Sequence, residues 1–187
     1  KGIFGYGYLD SSYANVTNLV NSSGVVAADV TGVGSARQGI TACGYGGDKG
    51  IFGLGTNASG RVGITNLVTN LGVVGNDVTA VATGRANAAA AQYGGDKGIF
   101  GYGNTSADVS LTNLVSNAGV VASDTTGVGT ARDYLAATDF STDKAIFAFG
   151  RVTNQVSMSN LVSNSGVVAT DTTGVGDARF GLAATRF

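Results

Sequence analysis

Apolar and polar residues alternate over short segments of this chain instead of recurring at helical spacing. The clearest segment is residues 97–103, KGIFGYG, where Phe100 and Tyr102 fall on one face of an extended chain and Ile99 on the other. A period of two with aromatic residues is typical of a β-strand. No long segment carries an apolar stripe of period 3.6, and Gly and β-branched residues interrupt every candidate helix. The pattern predicts an all-β chain.

The same pattern recurs four times within 187 residues. Each repeat contains K-[GA]-I-F-[GA]-[YLF]-G, a variable stretch, [TS]-N-L-V, G-V-V, an Asp, a Gly/Thr-rich turn and an Arg. The Asp always follows the Asn by 11 residues, and the Arg follows the Asp by 8. A period near 47 residues predicts an array of supersecondary units in which each unit packs on its neighbours. The repeats begin near Lys1, Lys49, Lys97 and Lys144.

One repeat contains four candidate strands joined by turns. Across residues 85–132, the small residues before Gly94 form the first strand and residues 97–103 the second. Residues 109–115 form the third strand, and residues 120–122 form a short fourth. Glycine and Asx residues supply the turns, since the chain has no proline. Four short strands per repeat fit a β-propeller blade better than a solenoid coil, whose repeat is usually shorter.

This order of elements resembles the kelch-type propeller blade, which has an Arg before small residues, a Gly-rich hairpin and an aromatic strand ending in Gly. The resemblance covers the whole chain, although the aromatic strand here ends G-Y-G or G-L-G and no Trp follows it. The wording KAIFAFG, TNLVSN and GVVATDTTGVG is also similar to tandem repeats in uncharacterised proteins of environmental bacteriophages. The resemblance implies a single β-propeller domain over residues 1–187, built from four-stranded antiparallel blades.

The two ends of the chain complement each other in this scheme. Residues 1–7 correspond to the second strand of a blade, and residues 179–187 correspond to a first strand. If Phe187 lies beside Lys1, the C-terminal strand completes the first blade and closes a four-bladed ring, which removes exposed strand edges. A slice of a larger ring and a dimer of eight blades are the alternatives.

Composition limits the chemistry that this chain can perform. The net charge is −1, there is no His or Trp, Cys43 is alone, and all twelve acidic residues are Asp. Near-zero charge provides no footprint for nucleic acid or an anionic membrane. Without His, Glu or paired Cys, catalysis would rest on Asp, Lys or Tyr, and none of these departs from the repeat. We expect no enzyme, no cofactor and no metal, and the nearest enzymatic rival is an axial metal site built from a ring of Asp.

The repeated Asp and Arg residues have two interpretations. One is a fourfold ring of charge around an axial ligand. The other is a structural ion pair, either between blades or within a turn whose N–H groups the Asp accepts. We expect the structural role because the residues occur in every repeat. They are Asp29, Arg37, Asp77, Arg85, Asp124, Arg132, Asp171 and Arg179.

The stretch after each aromatic strand differs between repeats, reading YLDSSYAN, TNASGRVG, NTSADV and RVTNQV. Variable loops on a rigid scaffold are where recognition usually resides. We expect them to bind a surface glycan or a protein, in a virion-associated or extracellular setting. The competing interpretation is an architectural protein that self-associates and whose loop sequences vary without a binding function. The candidate ligand-binding residues are Tyr8, Asp10, Tyr13, Asn57, Arg61, Asn104, Asp108, Arg151 and Gln155.

Overall fold

The computed structural model describes residues 1–79 and 81–187. These residues form thirteen β-strands and no helix, so the expectation of an all-β chain is confirmed, and no helical membrane span is found among them. The strands are β1 (Gly2–Leu9), β2 (Ser12–Val20), β3 (Thr41–Tyr45), β4 (Lys49–Gly53), β5 (Thr56–Asn57), β6 (Gly60–Arg61), β7 (Thr65–Val68), β8 (Ala89–Tyr93), β9 (Lys97–Gly101), β10 (Thr112–Val115), β11 (Ala136–Phe140), β12 (Lys144–Ala148) and β13 (Ser159–Val162).

The longer strands form four small antiparallel sheets, one per repeat. Sheet one contains β1 and β2, sheet two contains β3, β4 and β7, sheet three contains β8, β9 and β10, and sheet four contains β11, β12 and β13. In sheets two to four the aromatic strand is central, with the small-residue strand on one side and the N-L-V strand on the other. Strands β5 and β6 form a short separate hairpin.

The predicted fourth strand is reduced to two isolated bridges. In sheet three, Val121 bridges Val115 and Thr125 bridges Thr112, and the other sheets repeat this arrangement. Between these bridges the Asp124 carboxylate turns to the segment that connects sheets two and three, where it accepts hydrogen bonds from Thr83 N–H. The segment of the predicted fourth strand therefore contributes to the contact between sheets and does not form a fourth hydrogen-bonded strand. The third strand is also shorter than predicted, since it spans 112–115 and not 109–115.

The aromatic strand ends earlier than its alternation predicts. Tyr102 has a φ of 63° and the following glycine has a φ of 101°, so the backbone leaves the β region. A left-handed residue breaks the two-residue alternation of an extended chain. As a result Phe100 packs over Gly53 of sheet two, whereas Tyr102 meets Phe147 of sheet four with ring centres 5.2 Å apart. The prediction that Phe100 and Tyr102 share a face is wrong.

Successive sheets stack on one another, and the hydrophobic core lies between them. In sheets two to four, a ring from the aromatic strand lies against a glycine of the preceding sheet, and a Cβ on Gly53 or Gly101 would lie 2.7 or 2.6 Å from that ring. Glycine is therefore required for this close approach. Main-chain bonds continue the stack, since Asn87 N–H donates to Gly39 O, Tyr134 N–H to Asn87 O, and Gly181 N–H to Tyr134 O.

Residues 179–187 form no strand, and no described strand pairing joins them to β1. They follow sheet four instead, because Gly150 N–H donates to Arg179 O at 3.0 Å and Arg186 forms an ion pair with Asp139 at 3.0 Å. These contacts hold the segment on sheet four. Sheet one accordingly has two strands, and the pairing that would close a ring is not formed among the described residues.

Candidate ligand-binding surface and the joints that support it

A buried network recurs at each contact between neighbouring sheets, which we call a joint. At the joint between sheets two and three, the Arg85 side chain is fully buried. Its Nε donates to Tyr102 O at 2.8 Å, Nη1 to Thr83 O at 3.1 Å and Nη2 to Asn113 Oδ1 at 2.6 Å. Nη1 also lies 3.6 Å from Asp124 Oδ1. The buried guanidinium is therefore satisfied, as buried charge requires.

Asn113 and Asp124 complete this joint. Asn113 Nδ2 donates to Asp124 Oδ1 at 2.9 Å, and the Asp124 carboxylate accepts the backbone N–H and the hydroxyl of Thr83. Hydrogen bonds to ionised groups are stronger than neutral ones. Gly55 N–H, which follows β4 of sheet two, donates to Arg85 O at 2.8 Å, so the arginine that anchors this network also ties sheet three to sheet two. The other two joints contain the same contacts through Arg37, Asn66 and Asp77, and through Arg132, Asn160 and Asp171.

Each ion pair joins an Arg to the Asp of the following repeat, not to the Asp eight residues before it. Of the expected structural arrangements, the pair between repeats is the one formed. Asp29 and Arg179 have no ion-pair partner among the described residues. Asp29 accepts a hydrogen bond from Asn18, and Arg179 lies over the Phe149 ring. The pairs are Arg37–Asp77 at 4.0 Å, Arg85–Asp124 at 3.6 Å and Arg132–Asp171 at 3.9 Å.

The joint carboxylates are held ionised. Burial alone would raise the pKa of Asp124, but hydrogen bonds from Thr83 and Asn113 and the charge of Arg85 hold that pKa below its ordinary value. The same balance lowers the pKa of the other two joint carboxylates. Burial lowers the pKa of Arg85 to about 10, and Asp124 opposes this shift. Both partners therefore carry charge at neutral pH.

A left-handed residue precedes each variable loop and connects the loop to a joint. Tyr6, Leu54, Tyr102 and Phe149 all have φ between 62° and 65°, and a glycine with positive φ follows each. This turn presents the carbonyl of Leu54, Tyr102 or Phe149 to the Nε of the joint Arg. The [YLF]-G sequence therefore fixes both the Arg site and the point where the loop leaves the sheet.

The variable loops share one end of the stack, which we call the loop face (residues 8–13, 56–61, 104–108 and 151–155). Each loop follows the same end of an aromatic strand, and those strands stack in chain order. Isolated bridges connect Gln38 with Thr56, Ala86 with Asn104, and Asp133 with Arg151. The loops therefore form a row, and the segment after each repeated Arg borders it.

The loops of sheets two and three are joined directly. Arg61 Nη2 donates to Asn104 Oδ1 at 2.6 Å, and Asn104 Nδ2 donates to Asp108 Oδ1 at 2.8 Å. Asn57 lies in the same hairpin as Arg61, where its side-chain oxygen accepts the Ser59 N–H at 2.9 Å. The structure thus brings together Arg61, Asn104 and Asp108, while Asn57 stabilises its own turn.

Arg151 is held by residues that the sequence interpretation missed. Its guanidinium donates twice to Asp133, at 3.2 and 3.1 Å, and lies 4.8 Å from the ring centre of Tyr134 and 5.3 Å from that of Phe180. The Asp133 side chain is 3% exposed, whereas that of Arg151 is 40% exposed. The buried carboxylate and the two rings therefore fix the orientation of the Arg151 side chain, which stays open to solvent. Gln155 is bridged to Arg151 and exposed.

The pKa of Asp133 also depends on the charge of the neighbouring loop. Burial raises the pKa of Asp133, its hydrogen bond with Arg151 opposes this, and the charge of Asp108 adds to the rise. Asp133, Tyr134 and Phe180 follow the repeated Arg residues directly, at positions where the other repeats carry different residues. This variation between repeats at fixed positions is the sequence signal that identifies them, as it identifies the loops.

The loop of sheet one is a separate aromatic corner. Tyr8 and Tyr13 face each other across the β1–β2 hairpin, with ring centres 5.3 Å apart and planes at 81°. Asp10 occupies the turn with a φ of 43° and is exposed. Among the described residues, no hydrogen bond or ring contact connects these three side chains to the other loops.

The loop face presents aromatic, amide, carboxylate and guanidinium side chains to solvent. The described residues hold no cluster of three or more Cys or Asp able to bind a metal ion. A scan against protein-family models and a search of curated proteins both return no match.

Proposed function

We propose that this protein is a non-catalytic recognition module that displays its loop face to a surface glycan. The observation that carries the proposal is Arg151, which a buried carboxylate and two aromatic rings hold in a half-exposed position. A pre-organised group loses little freedom when it binds, so it gains affinity that a mobile surface arginine does not.

The chemistry of the loop face supports a glycan as the ligand. Sugars offer apolar C–H faces that pack on aromatic rings and hydroxyls that pair with amides, carboxylates and guanidinium groups. The loop face and its border present both kinds of group. Tyr8, Tyr134 and Phe180 are 51%, 38% and 43% exposed, and Arg61, Asn104 and Asp108 form a polar chain between neighbouring loops.

The proposed setting is virion-associated or extracellular. It is supported by the similarity of the repeat sequences to bacteriophage tandem repeats, and by a scaffold that recurs four times while its loops differ between repeats. The sheets are proposed to act as propeller blades. Closure into a four-bladed ring would require sheet one to reach residues 179–187 of the same molecule, and a contact with a second molecule is the alternative.

A glycan array tests the proposed function. We expect the protein to bind a defined glycan class, and Tyr13→Ala, Arg61→Ala and Arg151→Ala each to weaken that binding about tenfold or more, as loss of a binding hot spot does. Tyr13→Ala and Arg61→Ala should leave the melting temperature unchanged. The matched control is Lys97→Ala at the opposite end of β9, which should bind normally.

Two results would overturn this proposal. The first is the absence of glycan binding by the unaltered protein, and the second is binding that all three loop variants retain. Capture of a protein ligand through the same loops would replace the glycan with a protein while keeping the loop face as the site.

A further inference from the structure

Sheet one carries half of a joint. Asn18 Nδ2 donates to Asp29 Oδ1 at 2.7 Å and to Ala27 O at 3.1 Å, as the corresponding asparagine does in each formed joint. In the formed joints the asparagine oxygen accepts Nη2 of a buried arginine. No described arginine reaches Asn18 or Asp29. The acceptor half is thus already arranged.

The residues that follow sheet four carry the other half. Arg179 lies 3.9 Å above the Phe149 ring and donates through Nη1 to Asp177 O at 3.1 Å, as Arg37 lies above Tyr6 and donates to Ser35 O. The Nε and Nη2 groups of Arg179 have no acceptor among the described residues. Arg179 is therefore oriented like a joint arginine and faces no joint.

A cleft beside sheet one lacks a ring that the later sheets possess. The cleft, of about 490 Å³, lies between sheets one and two and is lined by Leu19 and Gly72 among others. At the equivalent places the ring of Tyr45 packs against Gly119, and the ring of Tyr93 packs against Gly166. The residue that corresponds to these tyrosines in residues 183–187 is Phe187, which is fully exposed.

Sheets four and one each expose an apolar side chain whose equivalents in the other sheets are covered by a neighbouring sheet. Leu161 of sheet four is 45% exposed, whereas its equivalents Leu19, Leu67 and Leu114 each cover a glycine of the next sheet. The corresponding glycine in sheet one is Gly24, and nothing lies within 4 Å of a Cβ built there. Phe4 of β1 is 62% exposed, whereas its equivalents in the later sheets are buried against the sheet before them.

We propose that copies of this chain associate head to tail, with residues 179–187 of one molecule forming a joint with sheet one of the next. Arg179 pairs with Asn18 and Asp29, residues 183–187 add to the free edge of β1, and Phe187 fills the cleft. The register of β3 on β4 places Ala183 opposite Gly5 and Phe187 opposite Lys1. A contact of this type is heterologous, so it builds a ring or a filament.

The structure favours a second molecule over closure within one chain. No described hydrogen bond connects sheet four with sheet one, so the two halves of the joint lie apart within one molecule. A second molecule can supply the missing half while Gly150 N–H still donates to Arg179 O at 3.0 Å and Gly181 N–H to Tyr134 O at 2.9 Å. The internal joints keep the equivalent bonds, such as Gly55 N–H to Arg85 O at 2.8 Å.

The proposed joint differs from the internal ones at two positions, and both weaken it. Asp177 stands where Ser35, Thr83 and Thr130 donate a hydroxyl to the joint carboxylate, so it would place a second negative charge beside Asp29. Ala148 stands where Gly5, Gly53 and Gly101 admit a ring, so its Cβ would press on Phe4. The association is therefore reversible, and restoring the repeat residues should tighten it.

Sedimentation velocity over a range of protein concentrations tests this design. We expect the unaltered protein to show concentration-dependent association, and Phe187→Ala to shift it to monomer. Asp177→Thr with Ala148→Gly should lower the association Kd about tenfold or more, because a like-charge contact is removed. Lys97→Ala is the control and should behave like the unaltered chain. If no species larger than a monomer forms at any concentration, even with both restoring substitutions, the proposal is overturned.

A cysteine cross-link separates association from ring closure. In a Cys43→Ala background, Ile3→Cys with Thr185→Cys places two thiols at positions that pair in the internal sheets, as Cys43 pairs with Ile51. Oxidation should yield covalent multimers, and a mixture of the two single variants should yield dimers. A cross-linked monomer would show closure within one chain, and no cross-link would show no joint, so either result overturns the proposal. Thr153→Cys with Thr185→Cys is the control for random contact.

Discussion

The joints are built from residues that recur in the repeats, whereas the loop face is built from residues that differ between them. Each of the three joints uses the same Arg, Asn and Asp, with the arginine side chain fully buried and the same bonds made each time. The loop face uses different residues in every repeat, and most of its side chains are exposed. The difference separates two functions, since the repeated residues hold the stack together while the variable residues face the solvent.

Arg151 belongs to both regions. It varies between repeats like a loop residue, yet it pairs with a carboxylate that is almost fully buried. Removing its side chain would leave the Asp133 charge buried without its partner, which costs free energy as well as any ligand contact. Loop variants meant to leave stability unchanged should therefore use Arg61 and Asn104, whose bond lies at the surface.

Breaking a joint should have the largest effect. We expect Arg85→Ala to lower the free energy of unfolding by about 3–5 kcal/mol, because it leaves Asn113 and Asp124 without their buried partner. The matched control is Arg179→Ala, measured at a protein concentration where the chain is monomeric. It occupies the same position in the repeat without an ion-pair partner, so its change should stay within about 0.5 kcal/mol. Urea denaturation checks both, and equal losses would contradict the role of the joint.

The close approach of rings to glycine should have the next largest effect. Gly101→Ala adds a Cβ that would lie 2.6 Å from the Phe147 ring, and overpacking of this kind costs about 1–3 kcal/mol. Gly75→Ala is the matched control, because its Cβ would have one neighbour at 3.5 Å and an ordinary φ. The difference between the two urea midpoints gives the effect of the contact between the added Cβ and the Phe147 ring. A Gly101→Ala midpoint no lower than that of Gly75→Ala would show that the sheets are not tightly stacked.

Acid should protonate Asp133 beside the loop face before it weakens the joints, because the pKa of Asp133 is raised by burial. The pKa of each joint carboxylate lies below its ordinary value in the folded protein. Each therefore contributes stability that is present above the unfolded pKa and is lost as the pH falls through the folded value. We expect the melting temperature to fall below pH 4 and the fall to be shallower in Asp124→Asn. An unchanged slope in that variant would mean that Asp124 does not take part.

The reactivity of the Cys43 thiol should report when a joint opens, and the accompanying change in stability should be the smallest. Burial raises the pKa of Cys43 to about 12, and its sulfur lies against Gly98 of the next sheet. Alkylation at pH 8 should therefore be slow in the folded protein and limited by local opening. We expect Arg85→Ala to accelerate it and Arg61→Ala to leave it unchanged. Fast labelling of the unaltered protein would contradict a closed joint.

The sequence predicted the all-β class, the repeat and the location of the variable loops, because periodicity and glycine spacing depend on local chemistry. It missed the break in the alternation at Tyr102, since the left-handed conformation of a tyrosine has no local signal. It left open whether each Arg pairs within its own repeat or with another repeat, because spacing along one chain does not say which repeat supplies the partner. Asp133 was overlooked because it lies outside the loops and reaches the site only through stacking.

The most direct test of the contrast compares one joint substitution with three loop substitutions. Urea denaturation would be measured for Arg85→Ala and for a chain that carries Tyr13→Ala, Arg61→Ala and Asn104→Ala together. If the joints hold the stack and the loop face is free for recognition, the triple variant should lose less than half of the unfolding free energy that Arg85→Ala loses. A triple variant that loses as much as Arg85→Ala, or more, would contradict this division of labour.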